Sequence, residues 1–423
     1  MSSWRIETKC LQEGYKPGNG DTRVLPIYQS TTYKYDSTEH VARLFDQEAA
    51  GHMYTRISNP TLECVENKIA ALEGGVGALC TSSGQSASLV AIMNICESGD
   101  HIISSSTIYG GTYNLFAVTL KRMGIEVTFV DQDSSEDEIQ KAFKPNTKTL
   151  FGETIANPKI SVLDIEKFAR IARKNGVPLI VDNTFATPIL LRPIEHGADI
   201  VTHSTTKYMD GHATSVGGVV VDSGNFDWNN GKYPSLTQPD PSYHGIVYTA
   251  SFGNAAYIAK ARLQYMRDFG NCMSPMNAFL TNIGLETLHL RMERHCENAN
   301  KVAEFLSKNS KVLSVSYPAL RSDKYNELAK KYLPNGCSGV LSFRVKGGRE
   351  AAVRFMDKLK LAAIVVHVAD ARTAVLHPAS STHRQLSDEQ LISAGIEPDL
   401  IRFSVGIEHV DDIIEDIRQA LDD

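Results

Sequence analysis

The segment PTLECVENKIAALEGG, residues 60–75, places apolar side chains at Leu62, Val65, Ile69 and Leu72. That spacing gathers them on one face of a helix, and Gly74-Gly75 supplies a stop. Downstream the period changes. Strand-like runs recur at GALCTSS (77–83), HIISSS (101–106), EVTFVD (126–131), KTLFGE (148–153), PLIVDN (178–183), ADIVTH (198–203) and VGGVVVD (216–222). Between most of them lie helix-period stretches such as DIEKFARIARKNG, 164–176. Apolar strands alternating with helices predict an α/β fold, with a mainly parallel sheet covered on both faces.

Other segments break that rhythm. Residues 1–60 mix glycine, proline and polar residues with short apolar pieces such as LPIYQSTTY. Such a chain is expected to run as an arm along another surface, that of a neighbouring subunit. Glycine and proline cluster again at 224–245, including NGKYPSLTQPDPSYHG, which reads as a long surface insertion. A second α/β region follows, helical near 277–308, strand-like near 311–316, 338–345 and 400–405, with a last helix at 409–421. The expected division is an arm (1–60), a larger domain (61–260) and a C-terminal domain (261–423).

Composition narrows the class. A chain of 423 residues is too long for one small core. With 22% charged and 42% hydrophobic residues it has the make-up of a soluble globular protein. The net charge of −6 argues against a general nucleic-acid binder. The start, MSSWRIETKCLQEGYKPG, lacks a signal-peptide core, and no apolar stretch is long enough for a membrane span, so a cytoplasmic protein is expected. Its seven cysteines form no C-x-x-C pair, which fits reduced thiols.

In a parallel α/β sheet, ligands bind beyond the carboxyl ends of the strands. Four runs end there in polar residues. TSSGQSA opens a helix from Ser82, Ser83, Gly84 and Gln85. Free N–H groups and the helix dipole at such a turn suit a phosphate, although the same residues also make an ordinary N-cap. The segment matches neither G-x-x-x-x-G-K-[ST] nor G-x-G-x-x-G, so the nucleotide-binding loops lack their motifs. LFGETIANP carries Glu153 and Asn157, LIVDNT carries Asp182 and Thr184, and HSTTKYMDGH carries Ser204, Thr206 and Lys207. Asp182 is either an N-cap or a buried carboxylate for a cationic ring nitrogen or a metal. No His, Asp or Glu cluster accompanies it, and His203 with His212 does not read as a metal site. Lys207 lies 25 residues after Asp182, one strand–helix–strand unit, so both can face one crevice. A lysine amine attacks carbonyls once burial or nearby positive charge depresses its pKa. An anion cradle, a carboxylate and an amine on one edge suggest pyridoxal 5'-phosphate, which a lysine binds covalently and an aspartate holds at the ring nitrogen. TIYGGTYN (107–114) supplies Tyr109 to stack on such a ring.

YTRISNPT (54–61), TSSGQSA, YGGTYN, VDNTFATP, HSTTKYMDGH, HPASSTH (377–383) and IRFSVGIEH (401–409) together resemble the Cys/Met-metabolism family of fold-type I pyridoxal-phosphate enzymes. The resemblance covers nearly the whole chain. It implies Lys207 as the cofactor-bonding lysine, Asp182 as the ring-nitrogen partner and Tyr109 as the stacking and proton-handling tyrosine. Ser83, Gly84, Gln85, Ser204 and Thr206 would hold the phosphate, joined by Tyr54 and Arg56 of a neighbouring subunit. Asn157 and Thr184 would orient the cofactor. Arg402 would clamp the substrate α-carboxylate bidentately, with Asn157 and Tyr54 beside it.

Within the family, ETIANPKISVLDI and the insertion KYPSLTQPDPSYHGIVY resemble the O-acetylhomoserine sulfhydrylase branch. Methionine γ-lyases usually carry a cysteine where this chain has Gly111. His367 and Ala369 stand where relatives often have Asn or Ser and Gly, a departure beside the substrate carboxylate. The implied activity is γ-replacement on O-acetyl-L-homoserine by sulfide or methanethiol, in a homotetramer built as a dimer of dimers. Alternatives are a lyase or cystathionine enzyme of the same family, and a non-catalytic binding protein on that fold. Asp210 and His212 receive no role beyond a turn.

Overall fold

A computed structural model describes residues 4–381, 384 and 397–422. All seven strand-like runs of the first half become strands: β1 (Gly77–Thr81), β2 (His101–Ser105), β3 (Glu126–Val130), β4 (Thr147–Glu153), β5 (Leu179–Asp182), β6 (Ile200–His203) and β7 (Gly218–Asp222). They form one sheet in the order β1-β7-β6-β5-β4-β2-β3. Only β7 runs against its neighbours, β6 and β1; the other pairings are parallel. The pleat sends alternate side chains into two cores. Leu179, Val181, Val201, Val219 and Val221 enter one core, while Leu79, Ile180, Ile200 and Val220 enter the other.

Helices cap the strands where the chain signals it. In α3 (Pro60–Glu73), Asn59 accepts from the N–H of Thr61, Pro60 occupies the first turn, and Gly74 ends the helix at φ 83°. A short helix α1 (Ile6–Gln12) and α2 (Thr38–Phe45) precede it. The expected arm is thus only partly an arm. Cys10 and Leu25 are buried in the first core, and Thr61 Oγ1 donates to the carbonyl of Pro26 at 2.7 Å. Residues near α2 and Tyr54 stay more open, with Phe45 49% and Tyr54 43% exposed.

The expected surface insertion also differs. Trp228, Tyr233, Leu236 and Tyr243 are buried in the second core, and Trp228 stacks on Tyr257 at 5.2 Å. Aromatic area taken from water makes this segment a cover for the sheet. Helical residues 256–269 continue through position 260 and bring Ala261, Leu263 and Met266 into that same core.

A second sheet contains β8 (Val312–Ser316), β9 (Val340–Val345), β10 (Ala363–Ile364), β11 (Ala374–Leu376) and β12 (Leu400–Ser404), ordered β10-β11-β12-β9-β8. It is mostly antiparallel. Strands β10 and β11 escaped prediction because two or three residues show no period. Arg402 lies at the centre of β12, paired with Leu376 on one side and Ser342 on the other.

Candidate active site

The carboxyl ends of β1, β4, β5 and β6 carry the polar residues, as the parallel order requires. After β1 the chain turns into helix α4 (Gly84–Met93), where Ser83 caps the N–H of Ser86 at 3.1 Å. The first N–H groups of α4, those of Gly84 and Gln85, have no intrahelical acceptor. Gly84 faces Ser204 so closely that an added Cβ would sit 2.6 Å from its Cβ. Only glycine lets the two segments meet. Gln85 Oε1 is buried with no partner among the described residues.

Asp182, at the end of β5, accepts from Thr184 N (3.0 Å) and Thr184 Oγ1 (2.5 Å). Thr184 Oγ1 accepts in turn from the N–H of Ser204 at 2.9 Å, which links β5 to the lysine turn. Burial pushes the Asp182 carboxyl above the usual carboxylate range, while the Thr184 hydroxyl, His203 and the Thr184 N–H pull it back.

Lys207 follows β6 on a tight turn. Among the described residues its amine has neither a hydrogen bond nor an ion pair. Burial, and then the charge of Arg402, lower it from 10.5 to about 8. The Arg402 guanidinium is itself lowered to about 10 by burial, against the attraction of Tyr109. Its Nη2 donates to the carbonyls of Val366 (3.2 Å) and His367 (3.1 Å), and Nη1 reaches Asn157 Oδ1 at 3.5 Å. Ala369, nearby, adopts φ 65° and donates its N–H to Ser404 Oγ at 2.9 Å.

Tyr109 starts the helix Gly110–Asn114, with its side chain 48% exposed. Glu153, noted in the sequence without a role, fixes it. The buried Glu153 Oε2 accepts from the Tyr109 N–H at 2.6 Å, and the Asn157 N–H also serves this carboxyl. Burial, then Asp182, push Glu153 well above the usual range. The signal available in the sequence was a glutamate ending the apolar run KTLFGE. A Cβ on Gly111 would meet Gln85 Nε2 at 2.4 Å and Tyr109 Cε1 at 2.5 Å, so a larger residue there must displace both.

Other candidates are engaged elsewhere. Thr206 Oγ1 donates to the Gly217 carbonyl (3.1 Å) and accepts from its N–H (3.0 Å), so this hydroxyl is spent on the backbone. Tyr54 and Arg56 make no bond with the α4 turn; Arg56 lies 5.5 Å from the Tyr54 ring centroid and donates to the carbonyl of Arg267. In the "DGH" stretch, Asp210 accepts from the N–H of His212 (3.2 Å) and from Thr214 N (2.9 Å) and Oγ1 (2.6 Å). Gly211 and His212 present carbonyls to Ala371 N and Arg372 Nη2, which ties the lysine turn to the chain leading into β11. Thr382 and His383 of the HPASSTH motif lie outside the described residues. No group of described residues could hold a metal ion.

The model of the Cys/Met metabolism PLP-dependent enzyme family matches residues 7–422. The chain belongs to that family. It is 47% identical to an O-acetyl-L-homoserine sulfhydrylase of Leptospira meyeri, over 99% of this chain and 97% of the relative. It is 49% identical to a homocysteine synthase of Schizosaccharomyces pombe, over 100% of this chain and 99% of the relative. A solved structure of an O-acetylhomoserine (thiol)-lyase from Campylobacter jejuni, described as putative, superposes with a TM-score of 0.96. It shares 39% identity, covers 99% of this chain and 100% of its own, and carries a pyridoxyl-lysine phosphate residue. The family cofactor is pyridoxal 5'-phosphate. The residues here fit it: an unpaired buried amine, a buried carboxylate and a glycine-lined helix start. No helix among the described residues is long and apolar enough to cross a membrane.

Proposed function

We propose that the protein catalyses γ-replacement on O-acetyl-L-homoserine, giving L-homocysteine with sulfide or L-methionine with methanethiol, and acetate. The observation that carries this reading is the buried Lys207 amine, without a partner among the described residues and lowered to about 8, with Arg402 as its cationic neighbour. The names of the sulfhydrylase relatives support the substrate class.

In this reading Lys207 would anchor the cofactor, Asp182 would pair with its ring nitrogen, Thr184 and Asn157 would orient it, and Tyr109 would stack on the ring. The N–H groups of Gly84 and Gln85, with the Ser83 and Ser204 hydroxyls, would hold its phosphate; the Thr206 hydroxyl already donates to the Gly217 carbonyl and would have to give up that bond to join them. Pyridoxal phosphate, when bound, supplies the electron sink that acidifies the substrate Cα–H and Cβ–H bonds. Arg402 binds the substrate carboxylate, with Asn157 and Tyr54 beside it. Lys207, assisted by Tyr109, would move protons at the substrate Cα and Cβ. The Cγ–O bond to acetate breaks, a Cγ–S bond forms, and the proton lost by the thiol balances the acetate released.

Tyr54 and Arg56 complete the site of a neighbouring subunit in a tetramer built as a dimer of dimers. The exposure of Tyr54, and of Val24, Tyr28 and Phe45 in the same stretch, supports this. The proposed division into arm (1–60), larger domain (61–260) and C-terminal domain (261–423) separates the two sheets, but Ala261, Leu263 and Met266 pack in the larger domain's core and so move its edge beyond 260. Seven free cysteines, five of them buried, are in keeping with a cytoplasmic enzyme. Product analysis on O-acetylhomoserine tests the reaction: homocysteine should form with sulfide present. 2-Oxobutyrate as the main product under sulfide overturns the proposal.

A further inference from the structure

The long helix Leu288–Lys308 buries three polar residues, Arg291, His295 and Asn298, at 5%, 0% and 1% exposure. Spacings of four and three residues stack them on one face. Every other buried residue of this helix is apolar. Each of the three donates to backbone carbonyls that adjoin a site residue.

At one end sits the lysine turn. Arg291 Nη1 donates to the carbonyl of Tyr208, the residue after Lys207, at 2.8 Å. Its Nη2 holds the Gly284 carbonyl at 2.6 Å and its Nε the Thr287 hydroxyl at 3.2 Å. Gly211, whose N–H donates to the Lys207 carbonyl at 2.7 Å, lies against the same guanidinium: an added Cβ would fall 2.1 Å from Nη1. At the other end sits the strand of Arg402. His295 Nδ1 donates to the Val405 carbonyl at 2.7 Å, and Asn298 Nδ2 to those of Gly406 (3.0 Å) and Glu408 (2.8 Å). A carbonyl only accepts, so the His295 proton sits on Nδ1; burial lowers the ring to about 4, which leaves it neutral. The two ends meet again at Gly339, whose N–H donates to the Tyr208 hydroxyl (2.9 Å) and whose carbonyl accepts from the Val405 N–H (2.8 Å).

We propose that Arg291, His295 and Asn298 are positioning residues: one face of a single helix spaces the Lys207 turn from the end of β12, and so sets the Lys207 amine against the Arg402 guanidinium. The inference rests on the roles proposed for Lys207 and Arg402. From Arg291 to Asn298 the helix rises about 10 Å, a length fixed by its own backbone bonds. A misplacement of about 1 Å between reacting groups can cost about 100-fold in rate. Burying a guanidinium is costly, and no carboxylate pairs directly with Arg291 among the described residues.

The test compares holoenzymes of wild type, Arg291→Met and His295→Leu, with Lys207→Ala and Arg402→Lys as references. The readouts are the visible spectrum of bound pyridoxal 5'-phosphate, its dissociation constant, and kcat and KM for O-acetylhomoserine with sulfide. Arg291→Met should shift the spectrum, weaken cofactor binding and lower kcat about tenfold or more at nearly constant KM. Arg291→Lys, which keeps one donor for Tyr208, should recover part of that kcat. His295→Leu should keep the wild-type spectrum and cofactor affinity and raise KM about tenfold or more. 3-Aminopropyl acetate, the substrate without its carboxylate, should perturb the cofactor spectrum at the same half-saturating concentration in His295→Leu as in wild type. A merely structural role gives no such split between the two ends. Parallel losses in both variants that track a lowered thermal midpoint, or wild-type values in both, would overturn the proposal. If Arg291→Met fails to fold, Arg291→Lys decides at that end, and Asn298→Ala stands in for His295→Leu in the same way. An unaltered KM in Arg402→Lys, or a wild-type spectrum in Lys207→Ala, would instead sink the role given to that residue.

Discussion

A lysine amine attacks a carbonyl only when neutral, so its pKa sets how fast the empty enzyme can capture an aldehyde. Burial, then the Arg402 charge, lower Lys207 from 10.5 to about 8. At pH 7 a group at about 8 is neutral in roughly one molecule in ten, against about three in ten thousand for an ordinary lysine. The neutral fraction therefore gains about 300-fold from the fold. The assay is capture of unphosphorylated pyridoxal by the apoprotein, trapped by borohydride and followed against pH. Lys207→Ala supplies the background, which matters because buried Lys260 is also lowered to about 8.

The Lys207-dependent rate should rise with a midpoint near 8, and Arg402→Met should move that midpoint upward. Stability follows the same linkage. Below about 8 both folded and unfolded states carry the proton; between about 8 and 10.5 the unfolded chain binds more, so the Lys207 contribution stabilises the apoprotein as pH rises. A capture midpoint near 10.5, indifferent to Arg402, would refute the reasoning.

Three further outcomes can be checked. Gly84→Ala must open α4 from Ser204 by about 1 Å to reach ordinary contact distance; the dissociation constant for pyridoxal phosphate, by equilibrium dialysis, should rise about tenfold or more. Unchanged affinity removes Gly84 from the phosphate site. Arg402→Lys loses the planar fork while leaving the charge, so KM for O-acetylhomoserine should rise about 100-fold with the cofactor spectrum intact; an unaltered KM counts against the carboxylate role. Asp210→Ala strips acceptors from His212 N, Thr214 N and Thr214 Oγ1 and should cost about 3 kcal/mol in denaturant unfolding. A loss near zero would mean that turn holds itself.

The seven strands of the main sheet were readable because a strand buried on both faces is a nearly unbroken apolar run. Ser83, Asp182 and Ser204 were readable as candidates because a parallel sheet gathers its carboxyl ends on one side. The aromatic residues at 228–243 were misread as surface, since glycine and proline around them mark turns whether or not the turn is covered. The arm was misread for a similar reason: its short helix α1 has too few residues to show a face, and tertiary burial of Cys10 and Leu25 holds it.

Local pattern thus determined the elements, their alternation and the chemical inventory of one edge, because those depend on neighbours a few residues apart. Tertiary structure decided which groups remain free to react. It spent the Thr206 hydroxyl on Gly217, gave Arg402 two carbonyl partners and left the Lys207 amine without a partner among the described residues. It also set Glu153 behind Tyr109 and Glu73 against His203, 130 residues away. Such pairings depend on how helices seat on the sheet, and no spacing along the chain encodes that.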